Sequence, residues 1–111
     1  MDMLNQIEIR GIIGNYSRET IQDKTLHRFS VVTSHACMNT QGEAVVETQW
    51  FNVSAWDGKK VSIPENTDKG FHAHVKGRLR LRKFINGKGE SHVIAEIIPS
   101  EVEIIDPNNE N

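Results

Sequence analysis

The sequence lacks several features that mark particular protein classes. Its single cysteine, Cys37, cannot form an internal disulfide and has no neighbours at metal-ligand spacing. No apolar run approaches the ~20 residues that a membrane-crossing helix needs. The N-terminus also lacks the basic start and apolar block of a secretion signal. We therefore expect a cytoplasmic protein, and 111 residues suffice for one domain but not for two.

Positive charge does not exceed negative charge overall, but it is concentrated in one stretch. The formal net charge of −2 argues against a general polyanion binder. However, six of the 13 Lys and Arg residues lie between Lys76 and Lys88, and six of the 15 acidic residues lie from Glu90 onward. A near-neutral total therefore conceals a local basic surface, and the local potential is what attracts a ligand.

The stretch from Phe71 to Phe84 alternates like a β-strand. Its apolar face, suited to a core, carries Phe71, Ala73, Val75, Gly77, Leu79 and Leu81. Its other face carries His72, His74, Lys76, Arg78, Arg80, Arg82 and Phe84. A solvated strand face usually mixes charges because like charges in a row repel, and no acidic residue interrupts this row. The pattern predicts a negatively charged partner, against the alternative of a basic strand that is merely solvated.

A second stretch, residues 45–56, places two indoles on a polar strand face. One face carries Phe51, Val53 and Ala55, and the other carries Trp50, Asn52, Ser54 and Trp56. A buried face would not hold Asn and Ser without partners, and an exposed face rarely shows two large rings unless it binds something. For Trp56 the alternative is a core indole with its N–H satisfied.

Five strand-like runs are separated by polar connections and glycine turns. The predicted strands cover residues 4–14, 26–34, 45–56, 71–84 and 91–98, the last continuing after Pro99. The predicted connections cover residues 15–25, 35–44 with a turn at Gln41–Gly42, 57–70 with a turn at Lys69–Gly70, and 86–89 with an Asn-Gly turn. We predict an all-β domain at 1–106, a five-stranded antiparallel OB-fold barrel with at most one short helix, and a disordered polar tail at 107–111. A β-sandwich is the second choice.

Rings and cations on strand faces are what single-stranded nucleic acid requires. Cationic side chains follow the phosphates, and flat rings accept unstacked bases. Trp50 and Trp56 stand six residues apart, roughly 20 Å along a strand, which is enough for separate bases. Phe84 ends the basic row as a third ring. DNA and RNA share both features, so the residues alone leave that choice open.

The sequence offers no catalytic or metal constellation. His72 and His74 stand two residues apart on one strand face, without an evident third ligand. A nuclease would need paired carboxylates, and Glu47 and Asp57, the candidates nearest the aromatic face, have no motif around them. We expect a protein that is not an enzyme and uses no metal and no cofactor. A nuclease on an OB scaffold is the competing hypothesis, and it predicts metal-dependent cutting.

Several blocks resemble the bacterial single-stranded DNA-binding protein family. Over residues 4–106 they read LNQIEIRGIIGN, RFSVVTS, TQWFNVSAW, DKG and VKGRLRLRKF. The resemblance implies an OB fold, assembly as a homotetramer with a dimer as the alternative, and coating of single-stranded DNA in replication, recombination and repair. Residues and resemblance together give as DNA-binding residues Trp50, Trp56, Phe84, Lys69, Lys76, Arg78, Arg80, Arg82 and Lys83.

The sequence also departs from the family pattern. A further aromatic often follows the second strand of family members, near Cys37 here, and Phe51 stands where His is common, near subunit contacts. The resemblance implies a long tail with an acidic tip closing in Phe, which recruits replication and repair proteins. This sequence ends in DPNNEN without that tip, so such partners are in doubt. A truncated chain and a short family member are both open.

A different class of function fits the same fold. A primosome-type OB accessory would use its sheet face mainly for protein partners and would bind DNA only weakly. A dimer with micromolar affinity for oligo-dT would favour the accessory, and a tetramer with much tighter binding would favour the DNA coat.

Overall fold

Five strands close into one barrel in a computed structural model that describes residues 2–58 and 61–109. They are β1 (Ile7–Ile21), β2 (Lys24–Met38), β3 (Ala44–Trp56), β4 (His72–Ile85) and β5 (Ser91–Ile105), followed by a 3-10 turn at Pro107–Asn109. Around the barrel the order is β1-β2-β3-β5-β4. All neighbours are antiparallel except β3 and β5, which run parallel over two residue pairs. The predicted OB-fold barrel is thus confirmed, with one parallel contact added.

The core lies inside this barrel and is closed by the connector after β3. Alternate strand residues supply it, and Val61 and Ile63 of the connector are also buried. From the strands come Ile13, Phe29, Val31, Val53, Ala55, Ala73, Val75 and Ile97. Val31 and Val75 are completely buried. The alternation predicted for residues 45–56 is confirmed, because Val53 and Ala55 are buried in this core whereas the indoles of Trp50 and Trp56 are exposed.

The predicted connection at residues 15–25 is wrong, and the one at 35–44 is shorter than predicted because β2 runs to Met38 and β3 begins at Ala44. Residues 15–25 form the end of β1 and the start of β2, joined by a two-residue turn at Gln22 and Asp23. Both turn residues have positive φ, 49° and 70°, as tight hairpin turns require. From Ser17 to Lys24 the segment is exposed and mostly polar on both faces because it projects beyond the core, so it lacks the alternation that identifies a strand.

Two other hairpin turns share one construction. Asn39 and Asn86 each accept two backbone N–H bonds through the side-chain oxygen, at 2.9–3.0 Å. Three residues after each Asn stands a glycine, Gly42 or Gly89, with a φ of 79°, a region that glycine adopts with the least strain. The predicted turns at 41–42, 86–89 and Lys69–Gly70 are confirmed, since Gly70 also has a φ of 91°.

The second half of β4 leaves the barrel, which corrects a prediction. Strand alternation predicts a core face for Leu79 and Leu81, but they are 38% and 66% exposed. The reason is that pairing between β1 and β4 ends at Ile7 and Gly77. A Cβ at Gly77 would stand 2.2 Å from the Ile98 carbonyl oxygen, so glycine permits the close approach of β4 to β5 at this point.

Beyond the barrel, β4 and β5 continue as a two-stranded projection. We call residues 81–95 the β4–β5 arm. Among the described residues, the two strands of the arm pair only with each other, and the arm lies past the last pairing of β5 with β3. The radius of gyration is 16.3 Å, against about 13 Å for a compact chain of this length. The predicted tail begins with the 3-10 turn, and its last two residues lie outside the described residues.

Candidate nucleic-acid interface

Four arginines and one indole line a cleft on the outer face of β2, β3, β4 and β5. The cleft has a volume of about 510 Å³ and continues into a neighbouring depression of about 350 Å³ beside β1, which shares Arg28, Ser54, Arg82 and Glu96 with it. We call the two together the arginine cleft. Its cationic side chains are Arg28, Arg78, Arg80 and Arg82, and its ring is Trp56. The register of the strands therefore brings the predicted arginines and one predicted ring onto the same surface.

A buried acid from the neighbouring strand lies between two of these arginines, although no acid interrupts the basic row within β4 itself. Glu96 of β5 is only 4% exposed. Its Oε1 accepts hydrogen bonds from Arg80 Nε at 3.0 Å and Nη2 at 2.5 Å, and Arg82 Nε lies 3.4 Å away. Its Oε2 accepts a bond from Ser54 Oγ at 2.9 Å. The sequence of β4 does not reveal this acid, because Glu96 lies on the neighbouring strand, directly opposite Arg80.

The charge state of Glu96 follows from these contacts. Burial acts to raise its pKa, but the hydrogen bonds from Arg80 and Ser54 and the charges of both arginines outweigh burial. The net pKa lies below the ordinary value of 4.5, so Glu96 is a carboxylate at neutral pH. It fixes two guanidinium groups in place and removes one unit of positive charge from the cleft.

Both predicted indoles are exposed on the same face of β3. Trp56 is 47% exposed in the arginine cleft, and Trp50 is 58% exposed near the other end of the strand. Trp50 packs over Gly14, where an added Cβ would stand 2.2 Å from its Cζ3 atom. Gly14 is also the extra residue of a β-bulge in β1. The backbone at Gly14 thus supports the indole while leaving more than half of it accessible.

Phe84 lies on the β4–β5 arm, two residues beyond Arg82 on the same strand face. Its ring is 39% exposed and stacks on His92, with the ring centroids 5.2 Å apart and the planes inclined by 23°. Asn86 Nδ2 also lies 3.0 Å from His92 Nε2. The arm therefore carries a supported aromatic platform, of which only Phe84 was predicted.

The three predicted lysines lie away from the arginine cleft. Lys76 lines a separate depression with His74, Glu101 and Glu103, and its Nζ lies 3.8 Å from Glu101. Lys69 is exposed in the turn that precedes β4. Lys83 is exposed on the arm, and strand alternation directs it to the face opposite Arg82 and Phe84. Their contacts with phosphates stay predictions.

A hydrogen-bonded chain of side chains leads through the buried His27 to Asp57, the residue that follows Trp56. His27 is 1% exposed; its Nε2 lies 2.9 Å from Asp57 Oδ1, and its Nδ1 lies 2.5 Å from the Tyr16 hydroxyl. With Nε2–H donating to the carboxylate, Nδ1 accepts from Tyr16. Burial raises the pKa of Tyr16; the charge of Arg18 opposes this and that of Asp57 adds to it. The chain joins β1, β2 and the end of β3, and so fixes the strand end that carries Trp56.

Sequence reasoning missed several parts of the interface. Arg28 was not among the predicted residues, because the sequence does not show that its strand lies near the basic row. His92, Gly14 and Glu96 were missed for the same reason. A cross-strand pairing of residues 84 and 92, deduced from the turn at 86–89, is the one signal that would have found the stacked histidine.

One family model matches nearly the whole length of the chain. A model described as the single-strand binding protein family matches residues 4–105. The chain belongs to this family. Members of the single-strand binding protein family are DNA-binding proteins rather than enzymes, in agreement with the predicted class.

Curated relatives are similar at low identity. A protein named single-stranded DNA-binding protein 2 from Staphylococcus aureus (strain COL) is 27% identical over 94 residues, covering 85% of this chain and 66% of the relative. A single-stranded DNA-binding protein from Neisseria meningitidis (strain MC58) is 24% identical over 110 residues, covering 97% of this chain and 63% of the relative. The chain thus spans less than two thirds of the length of these relatives.

Solved structures share the fold. A Plasmodium falciparum structure titled as an SSB complex with ssDNA superposes with a TM-score of 0.76 at 22% identity, covering 96% of this chain and 98% of that one. A deletion mutant of the single-stranded DNA binding protein from Thermus aquaticus superposes with a TM-score of 0.73 at 15% identity, covering 96% and 53%. These matches support the OB-fold assignment.

No group of three or more His, Cys, Asp or Glu side chains in 2–58 and 61–109 is arranged to hold a metal ion. Across the same residues, no helix is long and apolar enough to span a membrane.

Proposed function

We propose that this chain binds single-stranded DNA along the outer face of β3, β5 and β4. The observation that carries the proposal is that two half-exposed indoles share a strand face with a cleft lined by four arginines. Trp50 and Trp56 stack bases, the arginines meet phosphates between and beside them, and Phe84 extends the path onto the arm. Family membership and the printed names of the relatives support the choice of DNA.

The physical division of work follows from the side chains. A base stacked on an aromatic ring contributes ~1–3 kcal/mol, largely independent of sequence. The cleft has four arginines and one carboxylate, so about three net positive charges face the strand. Each phosphate contact adds about −0.7 to the slope of log affinity against log salt concentration, and we expect about −2 from the cleft. Binding should therefore tolerate sequence changes and weaken with salt.

Tryptophan fluorescence tests this proposal directly. Oligo-dT should quench the emission, because both indoles lie on the proposed path, and salt should reverse the quenching. Trp56→Ala should weaken binding roughly fivefold to a hundredfold. Arg82→Ala should reduce the salt slope, whereas the matched control Arg10→Ala, which lines a different cavity with His72 and Glu103, should leave it unchanged. If the tryptophan emission of the folded protein does not change on adding oligo-dT, the proposal is ruled out.

The wider roles are also part of the proposal. We infer that the chain coats exposed strands during replication, recombination and repair, as a homotetramer with a dimer as the alternative. These roles rest on the family resemblance. Light scattering after size exclusion measures the assembly, and a parallel titration with oligo-U measures the preference for DNA over RNA.

A further inference from the structure

The outer edge of β4 has no strand beside it once β1 has ended. From Arg78 to Ile85, β4 pairs with β5 alone among the described residues. An exposed strand edge presents a row of backbone donors and acceptors, which is a template for adding another strand. Residues 81–85 of this edge lie on the arm, and Leu81, Lys83 and Ile85 do not line the arginine cleft.

Three observations fix which backbone groups point outward from this edge. The side chain of Asn5 brackets Leu79, accepting from its N–H at 2.9 Å and donating to its carbonyl at 2.7 Å. Pro99, which has no N–H, stands opposite Gly77, and the turn closes through a bond from Asn86 N to the Glu90 carbonyl. Because antiparallel pairs alternate and the register is regular from Gly77 to Ile85, the outward groups after Leu79 belong to Leu81, Lys83 and Ile85.

The side chains of the same three residues form an apolar face with one charge at its centre. Leu81 is 66% exposed and Ile85 is 73% exposed, and Val93, opposite Lys83 on β5, is 59% exposed. Lys83 forms no ion pair with any residue of the described part of the chain. Native edges are usually protected by pairing, bulges or several charges. Here Asn5 covers only Leu79, and a single lysine stands among apolar neighbours.

We propose that this edge, residues 81–85 of β4, binds an extended peptide segment of another protein by strand addition, with an acidic side chain opposite Lys83 and apolar side chains opposite Leu81 and Ile85. Backbone hydrogen bonds supply affinity and alternate side chains supply specificity in this mode of recognition. A second copy fits less well, because the two-fold register that uses the whole free segment places Lys83 opposite the partner's Lys83, and like charges directly opposite are destabilising.

A short synthetic peptide tests the proposal on the intact protein. The probe is a fluorescent, end-blocked peptide with Val-Thr-Glu-Thr-Val at its centre, and fluorescence anisotropy measures its affinity. Lys83→Glu should weaken binding about tenfold, and a peptide with Lys in place of Glu should recover it, since the pair changes from attractive to repulsive and back. That recovery also shows that the variant is folded. Methylating the backbone nitrogen of the peptide's Glu should abolish binding, because this N–H donates to the Lys83 carbonyl.

The matched control is Lys88→Glu, the same charge change at the hairpin turn, outside the free edge. It should weaken peptide binding by less than twofold. Equal losses in the two variants would overturn the proposal, because they would indicate general charge attraction. Unchanged binding of the methylated peptide would also overturn it. A concentration-dependent doubling of mass that Lys83→Glu alters would assign the edge to a second copy instead.

Discussion

Replacing Glu96 with Gln should destabilise this protein while tightening its hold on single-stranded DNA. The carboxylate is 4% exposed and accepts hydrogen bonds from Arg80 and Ser54. Hydrogen bonds to charged groups contribute ~1.5–3 kcal/mol. Because the side chains of Arg80 and Arg82 are 47% and 51% exposed, water can solvate the released guanidinium groups. We therefore expect the free energy of unfolding to fall by about 1–2 kcal/mol, or Tm by roughly 4–8 °C.

The gain in affinity comes from the charge that is removed. Glu96 competes with phosphate for Arg80 and Arg82, and the uncharged amide competes less. We expect the slope of log affinity against log salt to become more negative by about 0.7, the contribution of one further phosphate. Affinity at low salt should rise roughly fivefold, corresponding to about 1 kcal/mol at the separation of a contacting ion pair in water. Titration of tryptophan quenching by oligo-dT at two salt concentrations measures both.

Glu43→Gln is the matched control. It removes the same charge from an exposed acid in the turn between β2 and β3, which lines neither depression of the arginine cleft, so binding should change little. Weaker binding by Glu96→Gln with an unchanged salt slope would refute the reasoning. The carboxylate would then serve chiefly to position the arginines, and its competition with phosphate would be negligible.

Further predictions concern the supports of the two indoles and acid stability. Gly14→Ala should displace Trp50, since the added Cβ would stand 2.2 Å from Cζ3, and oligo-dT affinity should fall severalfold with an unchanged circular dichroism spectrum. His27→Ala should lower the free energy of unfolding by about 2–4 kcal/mol in urea denaturation, because it leaves a cavity and breaks the bond to Asp57. Glu96 has a lowered pKa in the folded state, so its stabilisation is present above the ordinary value of 4.5 and is lost as pH falls through the folded pKa; acid unfolding of Glu96→Gln should lack this contribution.

Local pattern was sufficient where one strand face meets the core. The alternation of residues 50–56 predicted that Trp50 and Trp56 would share an exposed face, and it was correct because Val53 and Ala55 are buried on the other side. The hairpin at 86–89 was also predictable, since turn chemistry is local.

Pattern failed where burial or charge depends on a neighbouring strand. Leu79 and Leu81 continue the apolar face of β4, but β1 ends before it can cover them. Residues 15–25 extend two strands into solvent and so show no apolar face. Glu96 neutralises part of the basic row from another strand, and no feature of β4 could have indicated this. Register decides these cases, and register is a property of the whole barrel.

The projection of β4 and β5 beyond the barrel has a consequence for how a bound strand would leave. Amides in residues 81–95 are held by a single hairpin ladder, so we expect them to exchange with deuterium well before the barrel amides, through local opening. Phe84 moves with that hairpin, whereas Trp56 belongs to the barrel. A polynucleotide bound across both should dissociate from the hairpin first and from the barrel afterwards. Its dissociation should therefore occur in two resolvable kinetic phases.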